Sequence, residues 1–191
     1  AIAARAMTGA LASLPAASLA HAIADAAERW RDADFPPRVR ATQRVADRTG
    51  YSMPVVEYAL DKLFESITFE ALAATIEDEL GGFDILDGFQ PRTGRTAAWA
   101  TPVGSVCVIS SRTTIGVALP PAIFALCAKC TVLVKDREDA FISSFFETLA
   151  GERSEFNDAA RAEAWSSEEE GAADLRAFDA VVAFGRDDTL A

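Results

Sequence analysis

Three short runs constrain this chain more than any other feature: VGSVCVIS (103–110), TVLVK (131–135) and FDAVVAFG (178–185). Each is rich in β-branched residues and almost continuously apolar. That pattern suits strands buried on both faces of a parallel sheet, because a half-exposed antiparallel strand alternates apolar with polar. Between the runs lie helical stretches: PPAIFALCAK, AFISSFFETLA and roughly Ser167–Phe178. Strands alternating with helices predict a doubly wound α/β arrangement, and in such sheets ligands sit beyond the carboxyl ends of the strands. The turn-rich GFQPRTGRT and the short β-rich TAAWA mark the change of texture near residue 90.

Before residue 90 the pattern is helical. Ser18 is a candidate cap for a helix with Leu19, Ile23, Ala26 and Trp30 on one face. The lone histidine, His21, falls off that stripe and reads as a surface residue. PPRVRATQRVADRTG predicts a short basic helix stopped by Gly50. With Asp32, Asp34 and Asp47 nearby, its arginines read as a solvated face rather than an anion site. Ser52 precedes a helix with Pro54 in its first turn and Val56, Ala59, Leu60, Leu63, Phe64 and Ile67 inward. Thr68 caps the next, with Phe69, Leu72, Ile76 and Leu80 inward and Gly81-Gly82 as its stop. The predicted organisation is a helical region over 1–90 and the first part of a nucleotide-binding α/β domain over 91–191.

Composition excludes several functions. The 191 residues carry 18 basic and 29 acidic side chains, net −11, against the positive footprint that nucleic acid or an anionic membrane requires. Residues 1–135 are nearly neutral at −1, and residues 136–191 carry −10. The acidic side chains fall mostly between two strand runs, so they read as a solvated outer layer rather than a tail. The longest apolar run, Ile115–Ala128, is short for a membrane span and interrupted by Pro120 and Pro121. The alanine-rich start is a poor secretory leader, broken by Ser13 and Pro15 with only Arg5 before them. Ala1 stands where an initiator Met would, so the numbering reads as starting inside a longer gene product. Three cysteines give no even disulfide framework, which predicts a reducing, cytoplasmic setting. Cys127 and Cys130 form a C-x-x-C at a helix end, with Cys107 in a strand run. A zinc site lacks ligands and a redox pair would open a helix, so the expectation is three buried, inert thiols.

Three strand ends meet the rule for ligand position. They are Ile109-Ser110-Ser111, Lys135, and Gly185 before RDDTLA. Hydroxyls and backbone N–H groups take phosphate or ribose oxygens, and a lysine supplies charge. The G-x-G-x-x-G fingerprint is absent.

P-V-G-S-V-C-V-I-S-S, then T-V-L-V-K, then a strand ending F-G-x-x-x-T resembles the aldehyde dehydrogenase superfamily. Within it the likeness is to the bacterial acyl-CoA reductases, which include the fatty acid reductase of bioluminescence. R-T-G-Y-S-M-P-V-V-E-Y-A-L-D-K-L-F, L-G-G-F-D-I-L-D-G-F and A-E-A-W-S-S-E-E-E extend it from about Ala41 to the last residue. The resemblance implies an aldehyde-dehydrogenase-like fold: an N-terminal helical region followed by part of a Rossmann-type parallel sheet. It implies reduction of a fatty acyl thioester, such as acyl-CoA, to an aldehyde by NADPH, with NADH as the alternative cofactor. Ile109, Ser110 and Ser111 would line the cofactor. Lys135 would meet the adenosine ribose or its 2′-phosphate, Arg137 and Glu138 would flank the ribose, and Gly185 and Arg186 would lie near the pyrophosphate. Thr113 stands where the superfamily commonly has its oxyanion Asn. Arg186 and Leu190 replace a small residue and a glycine in the third strand's turn. The family's catalytic cysteine is expected beyond Ala191, at none of the three cysteine positions here. This chain therefore reads as the first part of an enzyme, with a homo-oligomer left open. The alternatives are a non-catalytic nucleotide- or partner-binding paralogue, and an aldehyde dehydrogenase that oxidises aldehydes to acids.

Overall fold

The computed structural model describes residues 9–111, 114–136, 140–165 and 174–185. Among the described residues five helices come first: α1 (Ala16–Arg31), α2 (Pro36–Thr49), α3 (Met53–Glu65), α4 (Phe69–Leu80) and the single turn α5 (Asp84–Asp87). A minimal antiparallel ribbon follows, β1 (Gln90–Pro91) with β2 (Ala97–Ala98). Then come β3 (Ser105–Ile109), α6 (Leu119–Cys127), β4 (Thr131–Lys135), α7 (Phe141–Glu152), α8 (Phe156–Ala159), β5 (Ala160–Glu163) and β6 (Ala180–Ala183). A 3-10 turn, Leu175–Ala177, precedes β6. Four strands form one parallel sheet in the order β5-β4-β3-β6.

Helix ends follow local chemistry. Gly50 and Gly81 take the left-handed conformation that stops α2 and α4, at φ 76° and 84°. Thr68 caps α4, its hydroxyl accepting from Ala71 N at 3.1 Å. Ser18 lies inside α1 rather than capping it. The start of α1 is instead capped from a distance: the Asp87 carboxylate accepts from Ala16 N at 3.0 Å. A cap supplied from 71 residues away is invisible to local pattern. Arg38 also departs from the solvated-face expectation. It is buried, closes the last turn of α1 by donating to Trp30 O (2.7 Å) and Arg31 O (3.0 Å), and pairs with Asp61 of α3. Unused carbonyls at the end of α1 provide the acceptors. His21 is exposed and stacks on Phe69, ring centroids 3.7 Å apart.

The helices and one face of the sheet share a core. Val106, Val108, Val132 and Val134 lie in the same apolar cluster as residues of α1, α6 and α7. At its centre Trp30 is fully buried against Phe64, Phe141 and Phe145, and its indole N–H donates to Thr148 Oγ1 at 3.0 Å. Truncating a buried tryptophan to alanine typically costs about 3–5 kcal/mol. Cys107 and Leu133, at the alternate positions of β3 and β4, are buried outside that cluster.

Two strand readings need correction. Residues 160–163, between the helical stretches AFISSFFETLA and Ser167–Phe178 of the sequence reading, form the edge strand β5. ARAE has no β-branched residue, so nothing in its composition marks a strand, and it is held by backbone pairing with β4. β6 is not buried on both faces: it is the other edge strand, and Val181 is 43% exposed. The helix expected over Ser167–Phe178 falls partly on residues outside those described, and its last part is the 3-10 turn.

Candidate functional site

The sheet order creates a switch point. The chain runs β3 to β4 to β5 in one direction, then returns to lay β6 on the opposite side of β3. The carboxyl ends of β3 and β6 flank this switch point, the position where ligands enter sheets of this type.

The three strand ends singled out in the sequence meet along this edge. Ile109 is in register with Lys135 on one side and Ala183 on the other. Ser110 N donates to Lys135 O at 3.2 Å, and Phe184 N donates to Ile109 O at 3.0 Å. Gly185, exposed, is the next residue. Ser110 is fully buried and its hydroxyl donates to Ser111 O at 3.3 Å. Lys135 is only 6% exposed, and its Nζ sits 5.2 Å from the ring centroid of Trp165. Thr113, Arg137, Glu138, Arg186 and Leu190 lie outside the described residues.

Helix N-termini are the other resource for holding anions, and two here are poorly suited. The first turn of α6 contains Pro120 and Pro121, which have no N–H, and Leu119 N is already bonded to Gly116 O at 2.9 Å. At α7 the buried carboxylate of Asp136 accepts from Ile142 N at 3.2 Å and takes the place a phosphate would need. Asp136 N also donates to Glu163 O at 2.9 Å, tying β4 to the end of β5. The donor set at the edge fits a dinucleotide: a buried cation at one strand end, two serines at the next, and a glycine at the third. Sequence reasoning missed Asp136, Glu163 and Trp165. An Asp between a strand-end lysine and a helix is a recognisable capping signal. Glu163 and Trp165 were hidden because β5 was not recognised.

The three thiols are buried and held protonated. Cys107, Cys127 and Cys130 are all buried and free. Burial pushes the Cys127 thiol up to about 12. Burial pushes Cys107 up to about 11, with Lys135 pulling slightly the other way. Cys130 is raised for the same reason of burial. Near neutral pH they are protonated, as the inert-thiol reading expected. Among the described residues no group of three or more His, Cys, Asp or Glu side chains could hold a metal, and no helix is long and apolar enough to cross a membrane. An open cavity of about 200 Å³ lies between α7 and β5, over Phe146, Ala150 and Phe156. It flanks the outer edge of the sheet, away from the switch point.

A helical region leading into a four-stranded parallel sheet with polar strand ends defines a Rossmann-like α/β protein. The family model for acyl-CoA reductase (LuxC) matches residues 11–191, and the chain belongs to that family. No curated protein matches it.

Proposed function

We propose that the protein reduces fatty acyl thioesters to aldehydes with NADPH, and that this chain contributes the cofactor-binding edge. The observation that carries this reading is the meeting of Ile109, Ser110, Lys135 and the approach to Gly185 at the switch point, in a chain of the acyl-CoA reductase family. Residues 1–90 are the helical region and 91–191 the first part of the nucleotide-binding domain. Arg137, Glu138 and Arg186 complete the proposed cofactor contacts, Thr113 is the candidate oxyanion donor, and NADH is the weaker cofactor.

A bound nicotinamide cofactor supplies the hydride. The residues of this chain hold its adenosine half. The Lys135 ammonium meets the ribose or its 2′-phosphate, and the Ser110–Ser111 turn offers hydroxyls and backbone to the nucleotide. The buried, protonated thiols support a nucleophile supplied from elsewhere in the protein. In the overall reaction the thioester C–S bond breaks, hydride and a proton are taken up, and aldehyde, CoA thiol and oxidised cofactor leave.

The test follows NADPH oxidation by the complete gene product with an acyl-CoA, alongside release of CoA thiol. Thioester-dependent oxidation is expected, and Lys135→Ala should raise the KM for NADPH about tenfold or more by removing a charge-assisted contact. Well-folded protein with no thioester-dependent oxidation contradicts the reductase assignment. An unchanged KM for NADPH in Lys135→Ala contradicts the placement of the cofactor.

A further inference from the structure

Gly116 is a contact between the helical region and the loop that leaves β3. It lies in the turn over 115–118 that runs into α6, is buried, and takes φ 72°. The side chain of Leu63, in α3, meets its backbone. A Cβ at this position would collide with Leu63 Cδ2 and lie 3.6 Å from Phe141, the first residue of α7. Glycine is thus required twice, by the left-handed conformation and by the approach of the leucine. The turn is fastened on its other side as well: Leu119 N donates to Gly116 O at 2.9 Å, and Ile115, Ala118 and Leu119 pack into the core. At the start of the same loop Ser110 is fully buried and bonded to the end of β4. The five residues 111–115 therefore join two buried anchors, and Ser111 and Thr113 are among them. So short a span takes up little displacement, and the position of either anchor passes to the residues between. One anchor belongs to the sheet. The other is set by α3, an element of the helical region.

We propose that Leu63 and Gly116 are positioning residues for the reaction. The leucine, seated on the glycine backbone, fixes the far anchor of the loop between β3 and α6, and with it the Thr113 hydroxyl. This rests on the reductase reading above and on Thr113 as its oxyanion donor. Such a donor acts only when it is held where negative charge develops, and a displacement of about 1 Å can cost about a hundredfold in rate. Ser110 and the backbone of Lys135 are held by the strands, so cofactor binding depends less on this contact. The helical region thereby takes part in turnover as well as covering the sheet.

The experiment compares Leu63→Ala, Leu63→Met and Gly116→Ala in the complete protein. Leu63 is half-buried at the margin of the core, so truncating it is expected to leave a folded protein even where Gly116→Ala does not fold. Without cofactor or substrate, amide exchange at Val117 and Leu119 should be faster in Leu63→Ala, with the amides of β3 unchanged. In turnover, Leu63→Ala should lower kcat about tenfold or more, with the KM for NADPH changed less than about threefold. Leu63→Met fills nearly the same volume and should retain most of kcat. Gly116→Ala should lower kcat too, and by a smaller factor in a Leu63→Ala background, where the added Cβ has room. Folded Leu63→Ala with wild-type kcat, or with the KM for NADPH rising as much as kcat falls, overturns the proposal. So does unchanged exchange at Val117 and Leu119, or an equal Gly116→Ala loss with and without Leu63. Wild-type protein with no thioester-dependent oxidation overturns the reductase reading itself, whereas normal wild-type turnover with any of the contrary results overturns the proposal alone.

Discussion

The two ends of the parallel sheet are built differently. At the amino ends, side chains fasten the strands. The Asp179 carboxylate before β6 accepts from both the N–H and the hydroxyl of Ser105, at 2.7 and 2.8 Å. Gly104, at φ 111°, lets that carboxylate approach, since a Cβ there would collide with it. Lys129, just before β4, pairs with Asp87 at 2.5 Å, and Asp87 caps α1, so one carboxylate joins the helical region to the sheet. At the carboxyl ends, latching between strands is by backbone: Ser110 to Lys135, Phe184 to Ile109, Asp136 to Glu163. Side chains there are spent otherwise, with Lys135 over a ring and Asp136 on a helix start. The difference teaches a division of labour. One end fastens the sheet with side chains, and the other carries the groups proposed above to meet a cofactor.

Substitutions at the amino ends should therefore change stability and spare cofactor binding. The largest expected effect is at Asp87. Asp87→Ala removes the cap of α1 and takes the carboxylate from the Lys129 ammonium, whose side chain is 6% exposed. A loss of about 1–3 kcal/mol is expected in urea unfolding, with NADPH affinity unchanged. Weakened NADPH binding at unchanged stability would break the comparison.

A smaller and pH-dependent effect is expected at Asp179. The backbone N–H and hydroxyl of Ser105 hold its carboxyl below the ordinary carboxylate range. A depressed folded pKa means the stabilisation is fully present above the unfolded value of about 4 and lost as pH falls through the folded value. Asp179→Asn should thus lower the melting temperature at neutral pH, and the gap to wild type should close as the solution is acidified below about pH 4. A gap that does not change with pH would show that the charge contributes nothing.

Much of this division was legible in the sequence, for identifiable reasons. The runs VCVI and TVLVK announced the central strands because a strand buried on both faces must be apolar at every position. Ile109, Ser110, Lys135 and Gly185 were readable as site candidates because strand ends follow directly from strand boundaries. The fastening groups were not readable. Asp87 acts on Ala16, and Asp179 on Ser105, across more than seventy residues, and pairing at such range leaves no local pattern. β5 was hidden because ARAE owes its conformation to β4 and to no propensity of its own. With β5 unseen, Glu163 and Trp165 could not be placed beside Lys135.

The most direct test of the account is amide hydrogen exchange of the complete protein with and without saturating NADPH. The account predicts added protection at Ile109–Ser111 and around Ala183–Gly185, with the amino-end residues Gly104–Ser105 and Lys129–Thr131 unchanged. Protection concentrated at the amino ends, or none at the carboxyl ends while NADPH is bound, would contradict it.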